Sequence, residues 1–322
     1  MTTWLVTGGA GYIGAHVVRE LLQSGRRVVV FDDLSSGLEQ RVPAGVPLVR
    51  GNVTDPAAVA AALAQHRVDG VIHLAAKKAA GESVEIPLHY YRENVDGMIA
   101  LLEAMQREHV DRLVYSSSAA VYGTPEANPV AESAPLRPDS PYGQTKVVGE
   151  WLAADQGIAT GLSWVALRYF NVAGAGSDAL GDTSANNLIP MVFAALDRGE
   201  RPRIFGADYP TPDGTCIRDY VHVADLASAH AAAAALTEQR SAAEAFNVGR
   251  GSGSSVREVI EAIGAVIGRD LRAEVVSRRA GDPPATTAAV ERIREVLGWR
   301  AERDLEAMVA SAWSAWGTRG SR

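Results

Sequence analysis

The sequence predicts an α/β fold: a doubly wound parallel sheet followed by a smaller C-terminal α/β unit. Three observations carry this. Short apolar runs alternate with helical patterns through the first half of the chain. A glycine-rich turn joins the first run directly to the first helix. After Asn171 the texture changes to a Gly/Ser/Asn-rich connection over 174–187, followed by a shorter mixture of helices and strands.

In chain order, strands are expected at 4–7, 27–31, 48–50, 70–74, 112–116 and 163–167. Helices are expected at 12–24, 57–66, 94–108 and 142–154. Asp55-Pro56 and Ser140-Pro141 each place a capping side chain before a proline at the first helical position. Residues 119–137, with Pro125, Pro129 and Pro135, read as a long loop, and loops of that length are usually functional. The last helix, 304–316, has apolar residues at helical spacing and is expected only to cap the fold.

Composition bounds the function. With 322 residues, 47% hydrophobic and 21% charged, the chain has material for a sizeable core, which excludes disorder over most of its length. Thirty-one basic against 38 acidic residues leave a net charge of −7, which argues against a nucleic-acid partner. The single cysteine, Cys216, excludes a disulfide framework, and the seven histidines show no metal-ligand spacing. No targeting segment or membrane-length apolar stretch is visible, so a cytoplasmic location away from membranes is expected. Only Lys77, Lys78 and Lys146 are lysines; the other 28 basic residues are arginine, so each lysine is informative.

The turn Gly8-Gly9-Ala10-Gly11-Tyr12-Ile13-Gly14 gives a Gly-x-x-Gly-x-x-Gly pattern between the first strand and the first helix. Gly8 allows the tight turn, Gly11 the close approach of a pyrophosphate, and Gly14 close helix–sheet packing. The phosphates then meet free N–H groups at a helix N-terminus. This is a Rossmann-type dinucleotide loop. The second strand ends at Asp32-Asp33, where a carboxylate accepts from ribose hydroxyls and repels a 2′-phosphate, which selects NAD over NADP.

Tyr142 and Lys146 stand one helical turn apart on the same face. A phenol is a poor base at neutral pH. A neighbouring ammonium and a cationic nicotinamide both favour phenolate, giving a proton acceptor beside a hydride carrier. With nine tyrosines and three lysines, chance supplies such a pair only about 0.08 times. Ser116-Ser117-Ser118 ends the fifth strand, at the carboxyl edge where doubly wound sheets bind ligands.

Together these residues resemble the extended short-chain dehydrogenase/reductase superfamily and, within it, the UDP-glucose (UDP-galactose) 4-epimerases. The specific stretches are Lys78-Ala79-Ala80-Gly81-Glu82-Ser83, Ser116 to Gly123, Arg168-Tyr169-Phe170-Asn171, Asn186-Asn187-Leu188, Asp213-Gly214-Thr215 and Arg218-Asp219-Tyr220-Val221-His222-Val223. The resemblance implies that Ser118 and Tyr142 are the catalytic hydroxyls, with Lys146 tuning the tyrosine and holding the nicotinamide ribose. It implies that Gly8, Gly11, Tyr12, Ile13, Gly14, Asp32, Asn52, Val53, Leu74 and Ala75 hold NAD. Lys78, Asn94 and Tyr169 would line the junction of cofactor and sugar. Asn171, Asn187, Leu188, Phe205, Arg218, Arg279 and Asp282 would hold the UDP moiety, and Thr286 would face C2 of the hexose. Asn52 stands where the family usually has an Asp that accepts from the adenine amine; an Asn carbonyl can take that bond. Ala76 and Asp33 replace a frequent Gly and Asn.

The resemblance also implies residues 1–171 as an NAD-binding Rossmann domain and 172–322 as a UDP-sugar-binding domain, with part of 218–250 packing back on the first. A homodimer is expected. The expected reaction is inversion at C4 of a UDP-hexose through a transient 4-keto sugar. A 4,6-dehydratase needs an acid/base pair directly after the strand-end hydroxyl, where this chain has Ala119 and Ala120. UDP-N-acetylglucosamine or a UDP-uronic acid stay open as alternative substrates. A redox-sensing NAD-binding regulator would have no use for the Tyr142/Lys146 pair.

Overall fold

The computed structural model describes residues 1–184, 187–279 and 281–318. In order come β1 (Thr3–Thr7), α1 (Tyr12–Gln23), β2 (Arg27–Asp32), β3 (Leu48–Arg50), α2 (Pro56–His66) and β4 (Gly70–His73). Helices α3 (Ala80–Glu85), α4 (Pro87–Tyr91) and α5 (Gly97–Arg107) precede β5 (Arg112–Ser116), α6 (Pro141–Thr160) and β6 (Ser163–Tyr169). Next are β7 (Asn171–Ala173), α7 (Leu188–Asp197), β8 (Arg203–Phe205), β9 (Ile217–His222), α8 (Val223–Gln239) and β10 (Ala243–Val248). The last are β11 (Gly253–Ser255), α9 (Val256–Ile267), β12 (Glu274–Val276), β13 (Ala285–Thr286), α10 (Glu291–Leu297) and α11 (Leu305–Gly317).

Seven parallel strands form the large sheet in the order β10-β6-β5-β4-β1-β2-β3. The strand order reverses between β1 and β4, so the crevice at their carboxyl ends is the natural ligand position. Alternate residues of β1 divide the core. Trp4 and Val6 join the cluster holding Leu21, Val30 and Leu226, whereas Leu5 joins the one holding Phe31, Leu63 and Met98. All five residues of β1 are buried, and each large apolar side chain contributes about 1.5–3 kcal/mol. Both anticipated caps form. The Asp55 carboxylate accepts from Ala57 and Ala58 N–H, and Ser140 Oγ accepts from Gly143 N–H.

Two sequence expectations need correction. The helix expected over 94–108 begins as a wide π-type turn, Arg92–Asp96, before α5; this turn carries Asn94 inward. The last helix is more than a cap. Met308 and Val309 of α11 are fully buried beside Phe193, Tyr220 and Ile263, because that stripe fills the gap between α7, α9 and β9.

A second sheet is built on β9, which pairs in parallel with β7 and β13 and antiparallel with β11. β8 and β12 pair separately. Strand β10 returns to the large sheet beside β6, and α8 packs against α1.

Candidate active site

The glycine turn shapes one wall of a long groove at the reversal point of the sheet. Gly8 has φ +70°, and a Cβ there would stand 2.8 Å from Ala75 N. A Cβ on Gly14 would lie 2.1 Å from Gly8 O, so α1 can approach the turn only with glycine at that position. No side chain caps α1, whose first N–H groups therefore face the groove, as an anion requires. Tyr12, Ile13, Val53, Leu74, Ala75, Lys78 and Tyr169 line the same groove. Asp32 lies at its far end. Its Oδ2 accepts from Ala10 N–H and its Oδ1 from Leu34 N–H, 2.9 Å each, leaving one lone pair on each oxygen. Burial raises the Asp32 pKa, and those two N–H bonds counteract the rise. These features fit a dinucleotide with a free ribose diol.

Two sequence-predicted cofactor residues also make hydrogen bonds within the protein. Asn52 lines the groove, and its carbonyl accepts from both the N–H and the hydroxyl of Thr54. Asn94 is 3% exposed and grips the backbone of Lys77 at both N–H and C=O while donating to Thr145 Oγ1. It braces the groove wall against α6 from behind.

At the middle of the groove β5 meets α6. Tyr142 is 8% exposed, and its hydroxyl faces Ser118, the residue just beyond β5. Burial raises the phenol pKa, and the neighbouring Ser118 hydroxyl lowers it. Lys146 is 3% exposed and donates to Ser116 C=O at 2.7 Å, with Nζ 5.9 Å from the centre of the Tyr142 ring. Burial pulls its pKa down to about 7, against the pull of Glu150 upward. The sequence-predicted Tyr142, Ser118 and Lys146 therefore stand together, with Tyr169 near them on β6 and close to Ser116. Sequence reasoning missed Tyr115, whose ring lies 5.0 Å under Lys146 Nζ. Its signal was only an aromatic in an apolar strand, indistinguishable from core.

A second cleft is lined by Asn171, Asn187, Leu188, Phe205, Arg218, Arg279 and Asp282. Arg279 lies over the Phe205 ring at 3.8 Å. Arg218 is tied to Pro283 C=O at 2.8 Å and to Asp282 at 3.4 Å, and β13 fixes its backbone by pairing Thr286 with Arg218. Two guanidinium groups, a flat ring and two asparagines suit a nucleoside diphosphate. A small pocket lined by Tyr12, Asn171, Asp182 and Asn187 shares walls with both groove and cleft. The Thr286 hydroxyl is buried without a hydrogen-bond partner. Asn186, quoted in the sequence resemblance, lies outside the described residues. Among the described residues no cluster of His, Cys, Asp and Glu could hold a metal ion, and no helix is long and apolar enough to cross a membrane.

Residues 4–249 match the model of the NAD dependent epimerase/dehydratase family. The chain belongs to this family. A UDP-glucose 4-epimerase of Azospirillum brasilense is 47% identical to it over 96% of this chain and 90% of the relative. The crystal structure of UDP-glucose 4-epimerase from Brucella ovis with NAD superposes with a TM-score of 0.95, at 40% identity, over 98% of this chain and 99% of that one. The Bifidobacterium longum UDP-glucose 4-epimerase with NAD+ and UDP gives 0.91 at 35% identity, over 99% of each chain. The family uses NAD, and the epimerase fold extends over both halves of this chain.

Proposed function

We propose that this chain interconverts UDP-glucose and UDP-galactose by inverting C4 of the hexose. The observation that carries this reading is the Tyr142–Ser118–Lys146 cluster, followed directly by Ala119 and Ala120. One hydroxyl pair and one buried ammonium serve a single oxidation and reduction, and two alanines offer no proton for dehydration. Bound NAD supplies the acceptor that takes and returns the C4 hydride, together with a positive charge beside the phenol. Asp32, Gly8, Gly11 and Gly14 would hold it, with Tyr169 and Lys78 at the nicotinamide end.

Tyr142, as phenolate, takes the 4-hydroxyl proton with Ser118 bridging, and gives it back after the 4-keto sugar has turned over. Lys146 holds the phenolate by charge. Arg218 and Arg279 keep the diphosphate in place while the sugar rotates about its linkage, so the nucleotide grip is strong and the sugar pocket loose. The test is incubation of the purified protein with UDP-galactose and chromatographic identification of UDP-glucose, with released NAD identified after denaturation. Absence of the C4 epimer with NAD bound would refute the reading.

A second substrate is favoured by Thr286. Its small side chain leaves room that a large aromatic would fill, so UDP-N-acetylglucosamine is a proposed co-substrate. Its hydroxyl is buried, and Thr286 lines neither the groove nor the cleft, so the proposal rests on size alone. We also propose a reduced, cytoplasmic setting, supported by the buried free thiol of Cys216. A homodimer is proposed on the exposed apolar residues Leu88, Ile99, Trp151 and Ile158 of α4, α5 and α6. Sedimentation would show a monomer if that assignment is wrong.

A further inference from the structure

Behind the Tyr142 cluster lies a buried ion pair that the chemistry above does not use. The Glu150 carboxylate stands one helical turn beyond Lys146 on α6. Arg168 of β6 grips it through Nε at 3.0 and 3.2 Å and through a terminal nitrogen at 2.6 Å. Both side chains are under 10% exposed, at 7% for Arg168 and 6% for Glu150. Ser117, the residue between Ser116 and Ser118, donates to Glu150 at 2.5 Å. The Arg168 guanidinium also donates to Tyr122 Oη at 2.9 Å and to Glu132 C=O at 3.0 Å. Tyr122 in turn donates to Asn247 of β10 at 2.7 Å.

Burying such a pair is costly, and an apolar pair of similar volume would serve stability as well or better. Its position suggests another use. Ser117 is the backbone neighbour of both Ser116, whose carbonyl Lys146 donates to, and Ser118, whose side chain Tyr142 faces. The carboxylate that fixes Ser117 is carried by the same helix as Tyr142 and Lys146.

We propose that Glu150, held in place by Arg168, is a positioning residue for the Tyr142–Lys146 pair. It pins the end of β5 to α6 through Ser117 and presents a negative charge to Lys146 that keeps the ammonium protonated while the phenol ionises. This proposal rests on the reading of Tyr142 as the proton acceptor. The other groups facing Lys146 do not substitute for Glu150. Tyr142 on α6, Tyr115 on β5 and Tyr169 on β6 are neutral phenols at rest, because burial raises all three. His73 on β4 stays uncharged, with its pKa lowered to about 3 by burial and by Lys146 itself. His230 on α8, bonded to Ser116 Oγ at 2.7 Å, is likewise lowered to about 4 by burial.

The sign follows from linkage. Burial lowers the Lys146 pKa and Glu150 raises it. Glu150→Gln removes the raising charge and leaves Arg168 cationic, so Lys146 loses its proton at lower pH. Tyr142 then ionises beside a neutral amine, and its midpoint moves up.

The experiment titrates NAD-loaded protein by ultraviolet phenolate absorbance, with Tyr142→Phe as the blank that assigns the signal. Glu150→Gln is expected to raise the Tyr142 midpoint by roughly one pH unit. It should lower kcat on UDP-galactose about tenfold near neutrality, with KM little changed, and Glu150→Asp should recover part of both. Ser117→Ala keeps the ion pair and cuts only the pin. It should lower kcat severalfold without moving the midpoint, and it keeps the proposal testable should Glu150→Gln fail to fold. A folded Glu150→Gln with the parent midpoint overturns the proposal, as does a Ser117→Ala with parent kcat. The failure of the function reading looks different: the parent would lack UDP-hexose turnover while the midpoint still shifted.

Discussion

Removing one oxygen from Tyr142 separates catalysis from stability. In Tyr142→Phe the ring keeps its 8%-exposed seat, and the backbone N–H keeps its bond to Ser83 Oγ at 3.1 Å. Ser118 Oγ still accepts from Ala120 N–H at 3.2 Å. Loss of the hydroxyl costs at most about 1 kcal/mol of stability, the worth of one neutral hydrogen bond. Loss of a general base costs about two to four decades in turnover, or about 2.7–5.5 kcal/mol of transition-state stabilisation. The catalytic loss therefore exceeds the stability loss at least twofold, and the variant should be folded and nearly inactive. Initial rates of UDP-glucose formation would be measured beside UDP binding by calorimetry. UDP binding should match the parent, because Arg218 and Arg279 are untouched. Turnover within tenfold of the parent would refute the role given to the phenol.

Three further outcomes are expected. Asp32→Ala removes the acceptor of two backbone N–H groups and the charge that repels a 2′-phosphate. The purified variant should retain far less NAD and accept NADP; nucleotide released on denaturation reads both, and unchanged NAD content with continued NADP exclusion would contradict the assignment. Thr286→Tyr should abolish epimerisation of UDP-N-acetylglucosamine while sparing UDP-glucose, and equal effects on both sugars would show that Thr286 does not line the C2 side. Glu238 accepts from Arg26, Thr2 and Trp4, and those bonds hold its pKa down to about 2 against the upward pull of burial. A depressed carboxylate stabilises the fold above its unfolded pKa and loses that contribution as pH falls toward 2. Glu238→Gln should thus lower Tm at pH 7, with the gap to the parent closing in acid; a gap constant with pH would contradict this.

The local signals were the legible ones. Gly8 to Gly14 and the Tyr142/Lys146 spacing each lie within one turn or helix, so their geometry is set by backbone rules that a sequence displays directly. All six expected strands of the large sheet form within two residues of their expected ends. The seventh, β10, was hidden, because Ala243–Val248 pairs with a strand more than seventy residues away and mixes apolar with polar side chains. Asn52 lines the groove as the resemblance implies, whereas Asn94 stands behind its wall, bonded to Lys77 and Thr145. The Glu150–Arg168 pair gave no signal at all, since a charge in a helix and a charge in a strand usually face solvent. Only the packing of β5, β6 and α6 brings them together.

Transient oxidation at C4 is the central claim, and isotope labelling at that carbon tests it most directly. The NAD-loaded protein would be incubated with UDP-galactose carrying deuterium at C4, and the UDP-glucose formed would be analysed by mass spectrometry and NMR. The account predicts full retention of deuterium at C4 of the product, because the hydride leaves and returns within one closed site. Epimerisation with deuterium lost to water would contradict it, since C4 would then be inverted by proton exchange.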